Sequence, residues 1–236
     1  MRTLTLDKLK PFQLQPSQLD TYKEKDKERY KPLLDIHTTP DFSIASNSYM
    51  AAVIYNTEDH NLNYTFGNSL DMATTLIKAN HNYVSERVNC KIILNRKEIL
   101  EAIIGQFKAL KALVKEKHNI TIYNNETTTH ISIDCENFKV HLTTETKDKY
   151  LDKKLSSNCD YTCAVSNQPD LECDFIQPEV GINIEEYKIN FNTKYLIDFL
   201  NFMTGYDYIT ITTIGSPVSP IFCEKIDREV VLFPIR

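Results

Sequence analysis

The stretch VNCKIILNRKEILEAIIGQFKALKALVKEK, residues 88–117, decides the fold because it joins two kinds of hydrophobic pattern. Its first eight residues, VNCKIILN, contain enough apolar and β-branched side chains to predict a strand. In the remainder, apolar residues recur at helical spacing, namely Ile99, Ile103, Phe107, Leu110 and Val114. The stretch therefore predicts a strand followed directly by a long helix whose apolar stripe is buried.

The same order of elements recurs along the chain. After this helix, the segments NITIYN, THISIDC and NFKVHLT predict three strands separated by Asn-rich turns. Residues 187–236 repeat the series with YKINFN, a helix TKYLIDFLNFM closed by Gly205, and the strands DYITITTI, SPIFCE and EVVLFPIR. The N-terminal part gives RTLTLDKL, a helix from Ser17 to Tyr30, then PLLDIHT, FSIAS and YMAAVIY. The sequence thus predicts three β-α-β-β-β units.

A fourth unit, between residues 147 and 186, is predicted to be incomplete. CDYTCAVS and LECDFI predict strands there, but the charged stretch KDKYLDKKL replaces the leading strand and helix. Paired units of this kind place two helices on one face of a pair of sheets. The sequence therefore predicts an α+β fold of two domains, residues 1–146 and 147–236, each built of antiparallel sheets that carry helices on one face. An extra helix is predicted at residues 69–84.

The composition favours a globular, cytoplasmic, non-enzymatic protein. With 42% hydrophobic residues, no long apolar run and no signal-peptide pattern, neither a membrane span nor secretion is predicted. The six histidines show no catalytic spacing, and the five glycines form no phosphate-binding run, so neither catalysis nor a cofactor is expected. Cys159, Cys163 and Cys173 lack CxxC spacing and a nearby His, which favours plain thiols in strands over a zinc site.

The predicted helix at residues 96–117 carries a basic stripe. It contains six basic and three acidic residues, although the whole chain has a formal net charge of −5. At 100° per residue, four lysines share a narrow sector: Lys97, Lys108, Lys111 and Lys115. Such a stripe is most simply a solvated face. The alternative is a surface that faces phosphates, since it concentrates positive potential on an otherwise acidic chain.

Three stretches resemble the bacterial DNA polymerase III β subunit, the sliding clamp. The C-terminal stretch from INFNTKYLIDFL to VVLFPIR resembles the end of the clamp, where a Tyr-Leu helix, a Ser-Pro strand and a terminal Pro-x-Arg occur in this order. The stretch PLLDIHTTPDFSIASNSYMAAVI is similar to the clamp strand that leads into Ala-Thr-Asp-Gly-His-Arg-Leu-Ala. The third stretch, CKIILNRKEILEAI, is similar to a strand and helix of the clamp's middle domain.

The resemblance implies a DNA-clamp fold and a processivity factor without chemistry of its own. It implies a homo-oligomeric ring that encircles duplex DNA independently of sequence, with DNA-facing residues Arg96, Lys97, Lys108, Lys111 and Lys115 on the inner helix. Residues 1–146 resemble the clamp's middle domain, nothing corresponds to its first domain, and residues 147–236 resemble an incomplete last domain. The alternative is a clamp-derived binding module or decoy that engages replication proteins without encircling DNA.

The resemblance also implies a groove for short linear motifs of DNA polymerase and the clamp loader. The apolar tail VVLFPIR then forms one wall of this groove. Alternatively, the tail is only the last strand of a sheet. Pro234 argues against a strand at this position, because proline donates no ladder hydrogen bond. The implied groove residues are Ser46, Ser48, Tyr49, Met50 and Ala51 on one wall, and Val218, Pro220, Val231, Phe233, Pro234, Ile235 and Arg236 on the other. Met50 stands where the family usually has Arg, and Ala51 where it has Leu.

Overall fold

A computed structural model of the chain describes residues 6–39, 42–55, 90–119, 121–134, 139–146, 155–162, 186–213 and 218–235. The chain divides into two compact units, residues 1–86 with 222–232, and residues 87–221 with 233–236. The domain boundary predicted near residue 146 lies inside the second unit and stays a prediction. The helix predicted at 69–84 and the strand LECDFI lie outside the described residues. No helix in the described ranges is long and apolar enough to cross a membrane.

The first unit is built on an antiparallel sheet. Its strands are β1 (His37–Thr38), β2 (Phe42–Ser46), β3 (Met50–Tyr55), β10 (Ile221–Lys225) and β11 (Arg228–Leu232), in the spatial order β1-β2-β3-β11-β10. Strand β3 pairs antiparallel with both β2 and β11, so that Ala51 lies opposite Ser46 and Val231. Every residue of β2 and β11 is buried. The sequence segments FSIAS, YMAAVIY, SPIFCE and EVVLFPIR are thus confirmed to contain strands.

The N-terminal segment differs from its prediction. Instead of the strand RTLTLDKL, Leu6–Phe12 forms a 3₁₀ helix, and residues 1–5 lie outside the described part. Leu9 and Phe12, three residues apart, are both buried, which suits the three-residue turn of this helix. Pro11 could not have donated a ladder hydrogen bond in a strand.

The helix predicted from Ser17 to Tyr30 is two helices. They are α1 (Pro16–Leu19) and α2 (Glu24–Tyr30), separated by a turn after which Lys23 has an extended backbone. Neither helix contains a buried residue, so no apolar stripe holds them in one continuous element. The strand PLLDIHT is also wrong in part, because Lys31–Leu34 forms a 3₁₀ helix before the short β1.

The second unit contains two helices on one face of a four-stranded antiparallel sheet. The sheet has the order β7 (Leu155–Thr162), β6 (Lys139–Thr146), β5 (Thr127–Asp134) and β8 (Glu186–Asn192). Helix α3 (Arg96–His118) contacts β6 and β7, and helix α4 (Thr193–Phe202) contacts β5 and β8. Strands β4 (Cys90–Asn95) and β9 (Tyr208–Thr213) form a further antiparallel ladder. The predicted antiparallel α+β architecture is confirmed.

Two of the three predicted repeat units are confirmed, one of them with one strand reassigned, whereas the N-terminal unit begins with a 3₁₀ helix in place of its first strand. One unit is β4-α3-β5-β6-β7 and another is β8-α4-β9-β10-β11. The predicted strand NITIYN is wrong in its described residues: Asn119 ends α3 with a φ of 53°, and the chain then leads into a 3₁₀ turn at Asn124–Glu126. Ile122 packs against the helix residues Leu110 and Val114 instead of joining a ladder. Strand β7, which contains the start of CDYTCAVS, supplies the third strand of this unit.

Both long helices start at an Asn that directly follows a strand. The Oδ1 atom of Asn95 accepts a hydrogen bond from the backbone N–H of Glu98 at 3.2 Å. The Oδ1 atom of Asn192 accepts one from the N–H of Lys194 at 3.0 Å. An Asn at this position satisfies N–H groups that have no partner inside the helix. The matching segments LNRK and FNTK therefore give the two repeats the same strand-to-helix junction.

A buried chain of polar side chains joins the helices to the sheet. Gln106 of α3 donates from Nε2 to the carbonyl of Leu142 at 2.7 Å and accepts from the Thr144 hydroxyl at 2.8 Å. The Thr144 and Thr129 hydroxyls lie 3.2 Å apart, and Thr129 lies 2.9 Å from the hydroxyl of Thr193 at the start of α4. Because a satisfied buried network tolerates little displacement, it fixes the position of both helices on the sheet.

Candidate DNA-facing helix and candidate peptide groove

The solvent face of α3 carries the basic stripe. Ile99, Ile103, Leu110 and Val114 are buried as their spacing predicts, whereas Phe107 is only partly buried. The four lysines of the stripe are all exposed: Lys97, Lys108, Lys111 and Lys115. The predicted exposure of the stripe is therefore confirmed.

Three lysines of the stripe differ from Lys97 in having no acidic partner among the described residues. Lys97 lies 4.0 Å from Glu101, and both side chains are largely exposed, so this ion pair contributes little to stability. Lys108, Lys111 and Lys115 form no ion pair within the described part of the chain. These three residues span two turns of one helix face and present three ammonium groups to solvent.

Arg96 is bound to the protein itself. Its Nε donates to the carbonyl of Tyr206 at 3.0 Å, and its Nη1 donates to the carbonyl of Leu200 at 3.4 Å. Its backbone N–H donates to the carbonyl of Asp207 at 2.9 Å. A cation is favourable beside the carbonyls at the C-terminal end of a helix, here α4. Arg96 therefore joins the start of α3 to the end of α4, and its guanidinium is held by carbonyls of the protein.

Helix α4 adds no unpaired cation to the basic stripe. Lys194 lies 2.6 Å from the Oδ2 atom of Asp198 and 5.5 Å from the centre of the Tyr195 ring. Burial raises the pKa of the Asp198 carboxyl, and the hydrogen bond and charge of Lys194 only partly offset that effect. Within the described parts of the two long helices, the unpaired positive charge thus lies on α3.

The first candidate wall of the groove is a tight turn between β2 and β3. The Oδ1 atom of Asn47 accepts the N–H groups of both Tyr49 and Met50 at 3.0 Å. Ser46 donates from Oγ to the carbonyl of Met50 at 3.1 Å. Ser48 has a φ of 69°, in the left-handed region that disfavours most side chains. The turn therefore holds Tyr49 at its tip in a fixed position, with 46% of that residue exposed.

Two residues that the sequence analysis did not select help to hold this turn. Asn47 provides the acceptor for two backbone groups, and the Tyr22 hydroxyl lies 3.1 Å from the Ser48 hydroxyl. Asn between two apolar strands is a recognised turn signal, so Asn47 could have been found from the sequence. Tyr22 could not, because its contact with Ser48 depends on tertiary packing.

The structure separates the candidate groove residues into buried and accessible ones. Five of them are buried: Ser46, Met50, Ala51, Pro220 and Val231. Met50, Ala51 and Val231 belong to the paired strands β3 and β11, so their side chains are core residues and do not reach solvent. The accessible candidates are Ser48 and Tyr49 in the first unit, and Val218, Phe233, Pro234 and Ile235 in the second. Arg236 lies outside the described residues.

The C-terminal tail, residues 233–235, is docked on the second unit. Strand β11 ends at Leu232, before Pro234, as expected for a residue that donates no ladder hydrogen bond. The N–H of Ile235 donates to the carbonyl of Asn190 on β8 at 2.8 Å. Phe233, Pro234 and Ile235 are each half-buried. The tail is thus neither a continuation of β11 nor fully part of the core.

The sequence matches no protein-family model and no curated protein. The fold is that of the bacterial sliding clamps. The DNA polymerase III subunit β from Pseudomonas aeruginosa superposes with a TM-score of 0.52 at 12% identity, over 98% of this chain and 62% of that one. The DNA polymerase sliding clamp from Bacillus subtilis gives 0.50 at 14% identity, over 98% and 61%. The chain therefore spans less than two thirds of each of these clamps.

Proposed function

We propose that the chain is a DNA sliding clamp-like processivity factor of DNA replication that acts in the cytoplasm. It encircles duplex DNA as part of a homo-oligomeric ring and tethers a polymerase through a peptide groove, without catalysing a reaction. The observation that carries the proposal is the exposed cluster of Lys108, Lys111 and Lys115, which forms no ion pair with a described residue, on one helix of a clamp fold. On a chain with a net charge of −5, this cluster is where a polyanion is attracted.

Lysine suits a sliding contact because an ammonium group is a point charge on a flexible stem. It neutralises phosphates without the fixed geometry that would distinguish one base pair from another. Binding through such contacts releases counterions and weakens steeply as salt rises. DNA association of this protein is therefore expected to be independent of sequence and strongly dependent on salt.

The test is charge reversal on α3. In the triple variant Lys108→Glu, Lys111→Glu, Lys115→Glu, association with nicked circular duplex DNA is expected to be lost while circular dichroism remains unchanged, since all three side chains are exposed. The matched control reverses three exposed lysines of the first unit, Lys23, Lys25 and Lys31, and changes the net charge by the same amount. Equal DNA association of the α3 variant and the wild type would refute the DNA-facing assignment.

We further propose that the accessible groove candidates bind the linear motifs of DNA polymerase and the clamp loader. Tyr49 offers a rigid, half-exposed aromatic ring, and Val218, Phe233, Pro234 and Ile235 offer apolar surface in the second unit. Linear motifs with apolar anchors bind to surfaces of this chemistry. The burial of Met50, Ala51 and Val231 confines the proposed contact to these accessible residues.

The second candidate function is a non-encircling, clamp-derived module or decoy that engages replication proteins. It is favoured by the hydrogen bonds of Arg96 to carbonyls and the ion pair of Lys194 with Asp198, which leave the unpaired positive charge of the described long-helix residues on α3 alone. Sedimentation equilibrium distinguishes the two functions, since a ring requires a multiple of the 27.3 kDa chain mass. A strictly monomeric protein that still binds a clamp motif would establish the second.

A further inference from the structure

The turn between β2 and β3 contains a strained backbone at Ser48. The N–H of Asn47 donates to the carbonyl of Met50 at 3.1 Å, so Ser48 and Tyr49 are the two central residues of the turn. Of these two, only Ser48 has a positive φ, 69°. A positive φ at the first central residue alone is the type II′ pattern of hairpins, which favours Gly at that position. Ser48 therefore holds an unfavourable conformation, and strain of this kind is found most often at functional sites.

The Ser48 hydroxyl supports this conformation through two hydrogen bonds. It donates to the carbonyl of Asn47 at 2.5 Å. Because a hydroxyl has a single hydrogen, Ser48 is the acceptor in its contact with the Tyr22 hydroxyl at 3.1 Å, and Tyr22 is the donor. Glycine could make neither contact. The side chain of Ser48 thus offsets part of the strain in its own backbone.

Tyr22 links the turn to a separate segment of the first unit. It lies between α1 and α2, 26 residues before Ser48. Its ring packs on the Tyr30 ring, with 4.4 Å between the centroids and 33° between the planes, which restricts the rotation of both rings. The hydrogen bonds that the Asn47 side chain accepts are internal to the turn and move with it. The bond that Tyr22 donates instead fixes the turn against another segment.

We propose that Ser48 and Tyr22 are positioning residues of the groove, which select the turn conformation that presents Tyr49 to a linear motif. Tyr49 follows Ser48 directly, so a change of φ at Ser48 redirects the Tyr49 side chain. This inference rests on the proposed groove, and it gives Ser48 and Tyr22 a role that requires no contact with the bound peptide.

The expected size of the effect follows from the competent fraction, the fraction of molecules in which the turn presents Tyr49. The dissociation constant of a peptide rises by the inverse of this fraction. One net intramolecular hydrogen bond changes an equilibrium by about two- to ten-fold. Because the strain at Ser48 already disfavours the competent conformation, loss of the bond from Tyr22 is expected to lower the competent fraction to between about one half and one tenth.

The test compares Tyr22→Phe with the wild type in the full chain. The substitution removes one hydroxyl and keeps the ring that packs on Tyr30. Titration with a clamp-motif peptide, a short extended segment with a Gln and a Leu-Phe pair, is expected to show about two- to ten-fold weaker binding. NMR chemical shifts and relaxation dispersion of the Tyr49 amide in the free protein give the competent fraction, whose inverse must equal the loss of affinity.

A double-mutant cycle separates positioning through Ser48 from a general structural role of Tyr22. In the Ser48→Ala background, Tyr22→Phe is expected to cause no further loss of affinity, because the acceptor of its hydrogen bond is already absent. A Tyr22 that acts independently of Ser48 would weaken binding equally in both backgrounds, and this outcome would refute the inference. If Tyr22→Phe does not fold, Ser48→Ala removes the other partner of the same bond and decides in its place.

Tyr208→Phe is the matched control, since it removes one hydroxyl from a tyrosine that is 41% exposed on β9 of the second unit. It should bind the peptide with wild-type affinity. Tyr49 signals that are the same in Tyr22→Phe and in the wild type would overturn the positioning role. A wild type that does not bind the peptide would refute the groove itself, whereas the NMR comparison of the free proteins still decides whether Tyr22 positions Tyr49.

Discussion

At the scale of single residues, the turn between β2 and β3 shows how one side chain sets the position of another. Asn47 is only 1% exposed, yet its carboxamide oxygen accepts the backbone N–H groups of Tyr49 and Met50 and so fixes the position of the exposed Tyr49. Ser48 adopts a left-handed backbone conformation, which allows the turn to close. The turn signal was visible in the sequence, but which residues face solvent was not.

Replacement of Asn47 by Ala is expected to lower the free energy of unfolding by about 1–3 kcal/mol, because it removes a buried acceptor that serves two backbone N–H groups. Urea unfolding can be followed by tyrosine fluorescence, since the chain has 13 Tyr and no Trp. The control is Asn201→Ala, which changes an exposed Asn on α4 and should have an effect within about 0.5 kcal/mol. Equal effects of the two substitutions would show that Asn47 does not support the turn.

At the scale of elements, the sequence predicts those segments in which one hydrophobic period is clear. The spacing of Ile99, Ile103, Leu110 and Val114 fixes α3, and the buried runs fix β2, β3 and β11. Strand β7 has the polar sequence LSSNCDYT, and it is a strand because of its pairing with β6. NITIYN alternates like a strand, but Ile122 is buried against α3 instead. The position of the Arg96 side chain likewise depends on hydrogen bonds to carbonyls more than a hundred residues away in the sequence.

On α4, the Asp198 carboxyl has a raised pKa because its burial outweighs the effect of Lys194. A carboxyl whose pKa is higher folded than unfolded stabilises the fold at low pH, and this contribution is lost as pH rises through the folded pKa. The wild type is therefore expected to gain stability relative to Asp198→Asn when the pH falls from 7 to about 4.5. Urea unfolding at both pH values measures the difference.

The exposed Glu116 of α3 supplies the control for this pH effect. The variant Glu116→Gln removes a solvent-exposed carboxylate from a helix of the same unit, and its stability is measured at the same two pH values. A wild type that instead loses stability relative to Asp198→Asn on acidification would mean that the ion pair with Lys194 outweighs burial.

At the scale of the whole molecule, the two parts of the proposed function, DNA association and motif binding, depend on different interactions. DNA association depends on long-range charge, which the sequence revealed as a basic stripe on an acidic chain. Motif binding depends on apolar surface that stays accessible after folding, which the sequence could not resolve. It selected twelve groove residues, of which Met50, Ala51 and Val231 are core. The tail was recognisable because Pro234 ends the strand, but its attachment to Asn190 required the structure.

Removal of residues 233–236 is expected to abolish binding of a clamp-motif peptide, a short extended segment with a Gln and a Leu-Phe pair, and to leave the strand content intact. Strand β11 ends at Leu232, so the truncation spares its ladder with β3. Loss of the apolar anchors Phe233, Pro234 and Ile235 should cost about 2 kcal/mol or more, as truncation of binding hot spots does. A micromolar contact weakened to that extent becomes undetectable in most titrations.

The measurement is a calorimetric titration of both proteins with the same peptide, and with a control peptide in which Gln, Leu and Phe are Ala. Equal affinity of intact and truncated protein would refute the tail as a wall of the groove, whereas a truncated protein that no longer unfolds cooperatively would show that the half-buried tail belongs to the core.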